Sequence, residues 1–219
     1  MCNFVFQNKQ YMSNFRDWKL PKLLKHFQLR QNIDAPTLQM WIEAEEEMTD
    51  FEKSILTHLA NHLLENVLYW NKQELSMYAI GPILALVNFT SPNSNLYALR
   101  EISAEVDGEK LSGEPDGIIA FGQLEPEMPY FCFLEYEKDV EPSINPIIPC
   151  LTAMLIASEE NKTVYGITVV GENWRFLVLE GRTYDISSSY SAGSKGIYDI
   201  FRILKKLKRI VAARVGVEM

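Results

Sequence analysis

Histidine is scarce in this chain, with three in 219 residues, at positions 26, 58 and 62. That leaves little material for histidine-based acid–base catalysis. Cysteine is equally thin. Cys2, Cys132 and Cys150 form no C-x-x-C pair and no even framework, so a reducing cytoplasm is the expected setting and the thiols read as buried and inert. No apolar run reaches the roughly 18 residues a membrane span requires, and the opening MCNFVFQNKQ lacks the zones of a secretion signal; no membrane partner is expected. A glycine-rich phosphate loop is missing too, because Gly113 and Gly117 flank a strand rather than open a helix. Ser188 and Ser189 have no nearby histidine and no nucleophile-elbow spacing, which removes hydrolase-triad chemistry. His58 and His62, with Glu65, have a spacing able to hold zinc, but HLANH lacks the glutamate of H-E-x-x-H and reads as a polar helix face.

What is present suits one globular domain with a full-sized core: 47% hydrophobic and 23% charged residues. The net charge of −8 argues against indiscriminate nucleic-acid binding. Its distribution is uneven, since Lys195, Arg202, Lys205, Lys206, Lys208, Arg209 and Arg214 share the C-terminal segment with Asp199 alone. A basic face on an acidic body is one phosphate-facing layout; a solvated helix face is the simpler reading.

Residues 1–48 read as an N-terminal helical appendage, with an amphipathic helix from Phe15 to Arg30 and a break at Asp34-Ala-Pro-Thr. Residues 49–219 read as the main domain. Thr49-Asp50-Phe51-Glu52 caps a helix over 49–79 whose stripe is Phe51, Ile55, Leu59 and Leu63, ended by Gly81-Pro82. Strands follow at 96–106 and 111–121, joined through Asp107-Gly108, a strong hairpin signal, and at 130–137. A loop carries Pro142 and Pro146. A buried helix occupies 147–158, a turn sits at Asn161-Lys162, and strands are expected at 163–170 and 174–180 with an antiparallel extension after Arg182. A last helix, 195–212, buries Ile197, Ile200, Phe201, Leu204, Leu207 and Val211. The fold class is α/β with a mixed central sheet. Trp174, Phe176, Tyr165, Tyr130 and Tyr136 have the rings to stack on bases, but strand aromatics more often fill a core.

Two apolar strands carry acid where a buried strand tolerates it poorly. Asp116 follows Pro115 and opens GIIAF, and FCFL runs into Glu135-Tyr136-Glu137-Lys138. Alternation puts Glu114, Asp116 and Ile118 on one side of the first strand, and Phe133, Glu135 and Glu137 on one side of the second. If the strands pair, three or four carboxylates converge at a sheet edge. They repel one another and are costly to bury unpaired, and a divalent cation is the commonest remedy.

Pro115-Asp116, then acid-x-acid at 135–137, then a helix and a strand, resembles the PD-(D/E)xK nuclease superfamily, with GEPDG and LEYEK close to an uncharacterised bacterial branch. The resemblance covers some two thirds of the chain. It implies a restriction endonuclease-like core (helix, three strands, helix, strand) and magnesium- or manganese-dependent hydrolysis of phosphodiester bonds in nucleic acid, by enzymes that often act as homodimers. Carried over by position, Asp116, Glu135 and the carbonyl of Tyr136 hold the metal, and Glu137 or Lys138 assists catalysis. Glu65, Glu74 and Glu101 are candidates for a further upstream acid. The chain departs from the pattern at 137, where glutamate replaces the lysine, and at Pro149, where a helix glutamine is expected. Lys138 alternates to the opposite face unless a bulge re-aims it. These departures leave a catalytically inactive interaction or nucleic-acid-binding module as the alternative. A small-molecule pocket between the acidic strands and the 147–158 helix is a third reading.

Overall fold

Thr49 accepts a hydrogen bond from the Glu52 amide while the Glu52 carboxylate takes the Thr49 amide, a reciprocal cap that starts the main helix where the sequence places it. The computed structural model describes residues 13–43, 45–139, 145–158 and 163–217; Cys2, Pro142 and the turn expected at Asn161-Lys162 lie outside them. In chain order the elements are β1 (Ser13–Asn14), a 3-10 turn (Phe15–Asp17), α1 (Leu20–His26), β2 (Arg30–Gln31), α2 (Pro36–Ile42), α3 (Asp50–Asn66), α4 (Lys72–Leu75), a π-helical turn (Ser76–Ile80) and α5 (Gly81–Val87). There follow β3 (Ser94–Tyr97), β4 (Ile102–Val106), β5 (Glu109–Gly113), β6 (Gly117–Phe121), β7 (Glu127–Glu137), α6 (Ile147–Ala157), β8 (Thr163–Val170), β9 (Asn173–Glu180), β10 (Thr183–Ile186), β11 (Tyr190–Ser191) and α7 (Gly196–Arg214).

The architecture is α/β. Among the described residues a large mixed sheet runs β2-β10-β9-β8-β7-β6-β3, with β11 adding to β9, and a small one runs β1-β5-β4. β3, β6 and β7 are successive antiparallel neighbours. α6 then carries the chain over to β8, which lies parallel to β7, as a crossover connection requires. One face of the large sheet packs on α2, α3, α5 and α7. The other packs on α1, α6 and the small sheet. α6 sits close: a Cβ on Gly166 of β8 would lie 2.7 Å from the Met154 sulfur and 2.8 Å from the Cys150 sulfur. α7 buries every residue expected of it. No helix among the described residues is long and apolar enough to cross a membrane.

Several boundaries differ from the sequence reading, each for a local reason. The helix expected over 49–79 stops at Asn66, and Asn71 starts a new one through a second reciprocal cap with Glu74. Gly81-Pro82 does not end this second helix. Proline lacks an amide to donate and crowds the carbonyl four residues back; the widened π turn before it takes up the misfit, with the Gly81 amide reaching back to Ser76, and the helix runs on to Asn88 in a left-handed cap. On α3 the buried face is Leu56, Leu59, Ala60 and Leu63, while Phe51 is 69% exposed. The strand expected over 96–106 breaks at Leu99, whose φ is 51°, so β3 joins the large sheet and β4 the small one. The strand expected over 111–121 breaks likewise at Glu114-Pro115-Asp116, leaving β5 and β6 in different sheets. The Asp107-Gly108 hairpin is present, both residues at positive φ. The N-terminal segment is more than a helical appendage, because β1 pairs with β5 and β2 with β10.

That N-terminal strap is held by Phe15, which is buried against Gly113. A Cβ there would stand 2.6 Å from the ring's Cγ and 2.7 Å from Cε2. We expect Gly113→Ala to cost about 1–3 kcal/mol by overpacking, read as a lowered urea midpoint with an unchanged slope; an unchanged midpoint would show the strap to be loosely held.

Candidate acidic site at the end of the sheet

β6 and β7 pair Ile118 with Phe133 and Gly117 with Leu134. The same register sets Asp116 opposite Glu135, on the face that also carries Ile118 and Phe133. Because the chain bends away at Pro115, β7 runs on past Gly117 without a backbone partner on that side. The Asp116 side chain substitutes for one: its Oδ2 accepts the Tyr136 amide at 2.8 Å. In a strand the carbonyl of a residue lies on the same side as its amide, so the Tyr136 carbonyl faces this gap as well.

Lys72, the first residue of α4, reaches through the gap. Its Nζ lies 3.0 Å from Asp116 Oδ1 and 3.2 Å from Glu137 Oε1, and it passes 4.9 Å from the centre of the Tyr136 ring. Tyr136 is itself fixed by donating its hydroxyl to Ser76 Oγ at 2.9 Å. From the strap, Arg16 places a guanidinium nitrogen 3.9 Å from Glu135 Oε2 while most of its side chain stays exposed. The site therefore holds three carboxylates and two cations, beside a cleft of about 490 Å³ lined by Asn14, Arg16, Lys72, Gln73, Asp116 and Tyr136, among others.

Asp116 and Glu135 are 6% and 2% exposed. Burial, and next the neighbouring Asp116, push the Glu135 carboxyl well above the usual carboxylate range, against the pull of Arg16 and Lys72. Burial alone would depress the Lys72 ammonium; Asp116 and then Glu137 outweigh it and hold its pKa above the ordinary value. Lys72 is thus firmly charged, and Glu135 is the member whose ionisation the fold resists.

The structure brings Asp116, Glu135, Glu137 and the Tyr136 backbone together. Lys138 stays apart: it turns to the other face, where its Nζ donates to the Leu68 carbonyl at 3.4 Å. Of the upstream acids, Glu74 is spent on its helix cap, and Glu65 and Glu101 are exposed. The basic face of α7 is largely engaged within the fold, with Lys205 on Glu52 and the Glu47 carbonyl, Arg209 on Glu46, Lys208 on the Val87 carbonyl and Arg202 on Asp199. Trp174, Phe176 and Tyr165 are core residues. Among the described residues, Phe133 of β7 and Cys150, Leu151 and Met154 of α6 are buried in one core cluster. Sequence reasoning missed Lys72 and Arg16. The signal for Lys72 was the N-K-Q-E stretch at 71–74, a helix start with a cation in its first turn, where the backbone dipole disfavours one and an outside acid is needed to hold it.

Among the described residues no group of three His, Cys, Asp or Glu side chains is arranged to hold a metal ion. A cation here would need Asp116, Glu135 and the Tyr136 carbonyl. Two carboxylates, one carbonyl and several waters are a donor set that suits magnesium or manganese.

The raised pKa of Glu135 fixes the sign of a stability effect. A carboxyl that titrates higher folded than unfolded binds more protons in the native state, so stability falls as pH rises from the unfolded value of about 4.3 towards the folded one. We expect Glu135→Gln to match wild type below about pH 4 and to become progressively more stable than wild type above it, by up to about 1.4 kcal/mol per pH unit. Urea denaturation across the pH range reads this, and a gain independent of pH would contradict it. No family model matches the chain, and no curated protein matches its sequence.

Proposed function

We propose that this protein is a metal-dependent nuclease-like enzyme of the PD-(D/E)xK type, hydrolysing phosphodiester bonds of nucleic acid at the Asp116–Glu135 site. The observation that carries the reading is the meeting of Asp116, Glu135 and the Lys72 ammonium at one open end of the sheet. The signature lysine missing at position 137 is matched in charge by a lysine from another element. The order α3, then β3, β6 and β7, then α6 and β8 supports the restriction endonuclease-like core that the sequence resemblance implies.

When bound, magnesium or manganese would polarise the phosphate and ease ionisation of an attacking water, held by Asp116, Glu135 and the Tyr136 carbonyl. Asp116 keeps its geometry through the Tyr136 amide. Lys72 supplies a fixed positive charge where the phosphate's negative charge grows, an arrangement that needs no reorganisation during reaction. Glu137, next to Lys72 and only partly buried, is the carboxylate placed to take the water's proton. Arg16 faces the same cleft and can pair a non-bridging phosphate oxygen.

A second reading has its own observation. Both Asp116 oxygens are already engaged, one by Lys72 and one by the Tyr136 amide, and a self-neutralised network is what an inactive interaction or nucleic-acid-binding module would retain. Metal titration separates the two. For an enzyme, manganese or magnesium at a hundred times its Kd stabilises wild type by about 2.7 kcal/mol, leaves Asp116→Asn unmoved, and supports cleavage of a labelled oligonucleotide. Lys72→Met then lowers cleavage roughly 10²–10³-fold. No metal-dependent shift and no cleavage would leave the inactive module. The same oligonucleotides serve for either outcome, and sedimentation with and without them tests for a homodimer.

A further inference from the structure

The acidic cleft does not end at Asp116. On the far side of Asp116 and Tyr136 lies a second, half-enclosed pocket of about 290 Å³ between the α4–α5 helix and strands β3, β6 and β7. The two cavities lie side by side on either side of Asp116 and Tyr136, which line both, and they are unlike. The first is charged, with Lys72 and Arg16 beside the carboxylates. The second has apolar walls from Ile80, Leu84, Phe89 and Leu96 and a polar rim of Asn88, Thr90 and Asn95.

Two features shape the second cavity. The π turn widens the helix next to the strands, and Gly117 at the first residue of β6 lets Leu134 and Leu96 pack closely over the floor, a Cβ there lying 3.2 Å from Leu134. The cavity's size falls just below the usual range for ligand pockets, about 300–1,000 Å³, as suits a single base rather than a larger ligand. The Asn95 Oδ1 is already used by the Thr90 hydroxyl and the Leu96 amide, which fixes its side chain and leaves the amide NH₂ as a donor at the rim. Asn88 is held in its left-handed cap, and its Oδ1 accepts the Thr90 amide.

We propose that this pocket receives one unstacked nucleobase of the substrate, so that the nucleic acid is recognised as a single strand or frayed end rather than as intact duplex. The inference rests on the nuclease reading for the identity of the ligand, and it goes beyond that reading in assigning a base-binding subsite and a strand preference. The chemistry of the two cavities together is that of a nucleotide. The phosphate meets Lys72, Arg16 and the metal site. The flat, apolar faces of the base meet Leu84 and Leu96, and its hydrogen-bonding edge meets the amides of Asn88 and Asn95. A base still paired and stacked cannot enter a pocket floored by a sheet and walled by a helix; it must leave the stack first. That costs least where the strand is already single.

The test uses the whole chain, with and without manganese. Calorimetry compares the four nucleosides, their 5′-monophosphates and inorganic phosphate, on wild type and on Ala85→Phe, which places a ring at the pocket mouth from the exposed side of α5. The expected result is that at least one nucleoside binds without manganese, that its monophosphate binds at least tenfold more tightly with manganese, and that Ala85→Phe weakens both tenfold or more while leaving inorganic phosphate unchanged. Cleavage of a single-stranded oligonucleotide should exceed that of the matching duplex at least tenfold, with the preference reduced in Ala85→Phe. Manganese-dependent cleavage without nucleoside binding, or with equal rates on both substrates, overturns the base pocket and leaves the nuclease reading standing. Nucleoside binding that Ala85→Phe abolishes, with no cleavage of any oligonucleotide, upholds the pocket and removes the enzyme. Inorganic phosphate binding as tightly as the monophosphates overturns the inference.

Discussion

Two carboxylates directly opposite each other on paired antiparallel strands repel, and here both are buried. Everything around the end of the sheet answers that repulsion. Asp116 spends one oxygen on a backbone amide and the other on an ammonium. Glu135 is left with a guanidinium at 3.9 Å and a pKa pushed upward. The geometry is costly in the absence of a partner for Glu135, because desolvating an ionised carboxylate is repaid only by close, well-directed contacts. Glu135 is the less closely partnered of the two, with Arg16 at 3.9 Å against the 2.8 and 3.0 Å contacts of Asp116.

Two cations reach this place from distant parts of the chain, and each arrival depends on how the chain breaks. Pro115 turns the chain out of the sheet, which opens the gap beside Tyr136. The Asn71 cap ends the first helix and begins another, which aims Lys72 into that gap. Phe15, seated on Gly113, holds the strap that carries Arg16. The π turn serves Pro82 and at the same time sets Ser76 against the Tyr136 hydroxyl, so the ring over which Lys72 passes is clamped from the helix side. Irregular helical turns of this kind are frequent at functional sites, and these irregularities gather around the one acidic cluster.

How much of this was legible before the structure divides along physical lines. The facing of Asp116 and Glu135 was, because strand alternation has a period of two and the apolar residues around each acid set the register. The separation of Lys138 from the acids followed from the same rule. The ends of the long helix were not, because apolar periodicity continues through Val67 and Leu68, and the local cap at Asn71 outweighs it only when Glu74 is recognised as its partner. The splitting of two expected strands between two sheets was hidden for a related reason: the alternation continues through residues 99–101 and 114–116, while the backbone turns there at Leu99 and Pro115. Lys72 was invisible for a further one. A cation 44 residues before its acid leaves no mark on local pattern, and only the misfit of a lysine in the first turn of a helix hints at it.

The charge balance of the site bears on how a polyanion could approach a chain of net charge −8. The C-terminal basic helix contributes less than its charge suggests, since Lys205 and Arg209 are paired with Glu52 and Glu46, and Lys205 and Lys208 donate to the Glu47 and Val87 carbonyls. The rest of the attraction is local. Lys72 is held charged by its acids, Arg16 lines the cleft with much of its side chain exposed, and a bound dication would offset the carboxylates that otherwise repel phosphate. Without that dication the groove mouth carries four acids, Glu114 among them, against two bases. A bound dication would bring that balance to neutral, with Lys72 still held beside Asp116 and Glu137. Metal and nucleic acid should therefore bind cooperatively, each removing charge that opposes the other. On the proposed function, that coupling would give a physical reason for an over-acidic cluster, a firmly charged lysine and a largely apolar pocket to lie side by side.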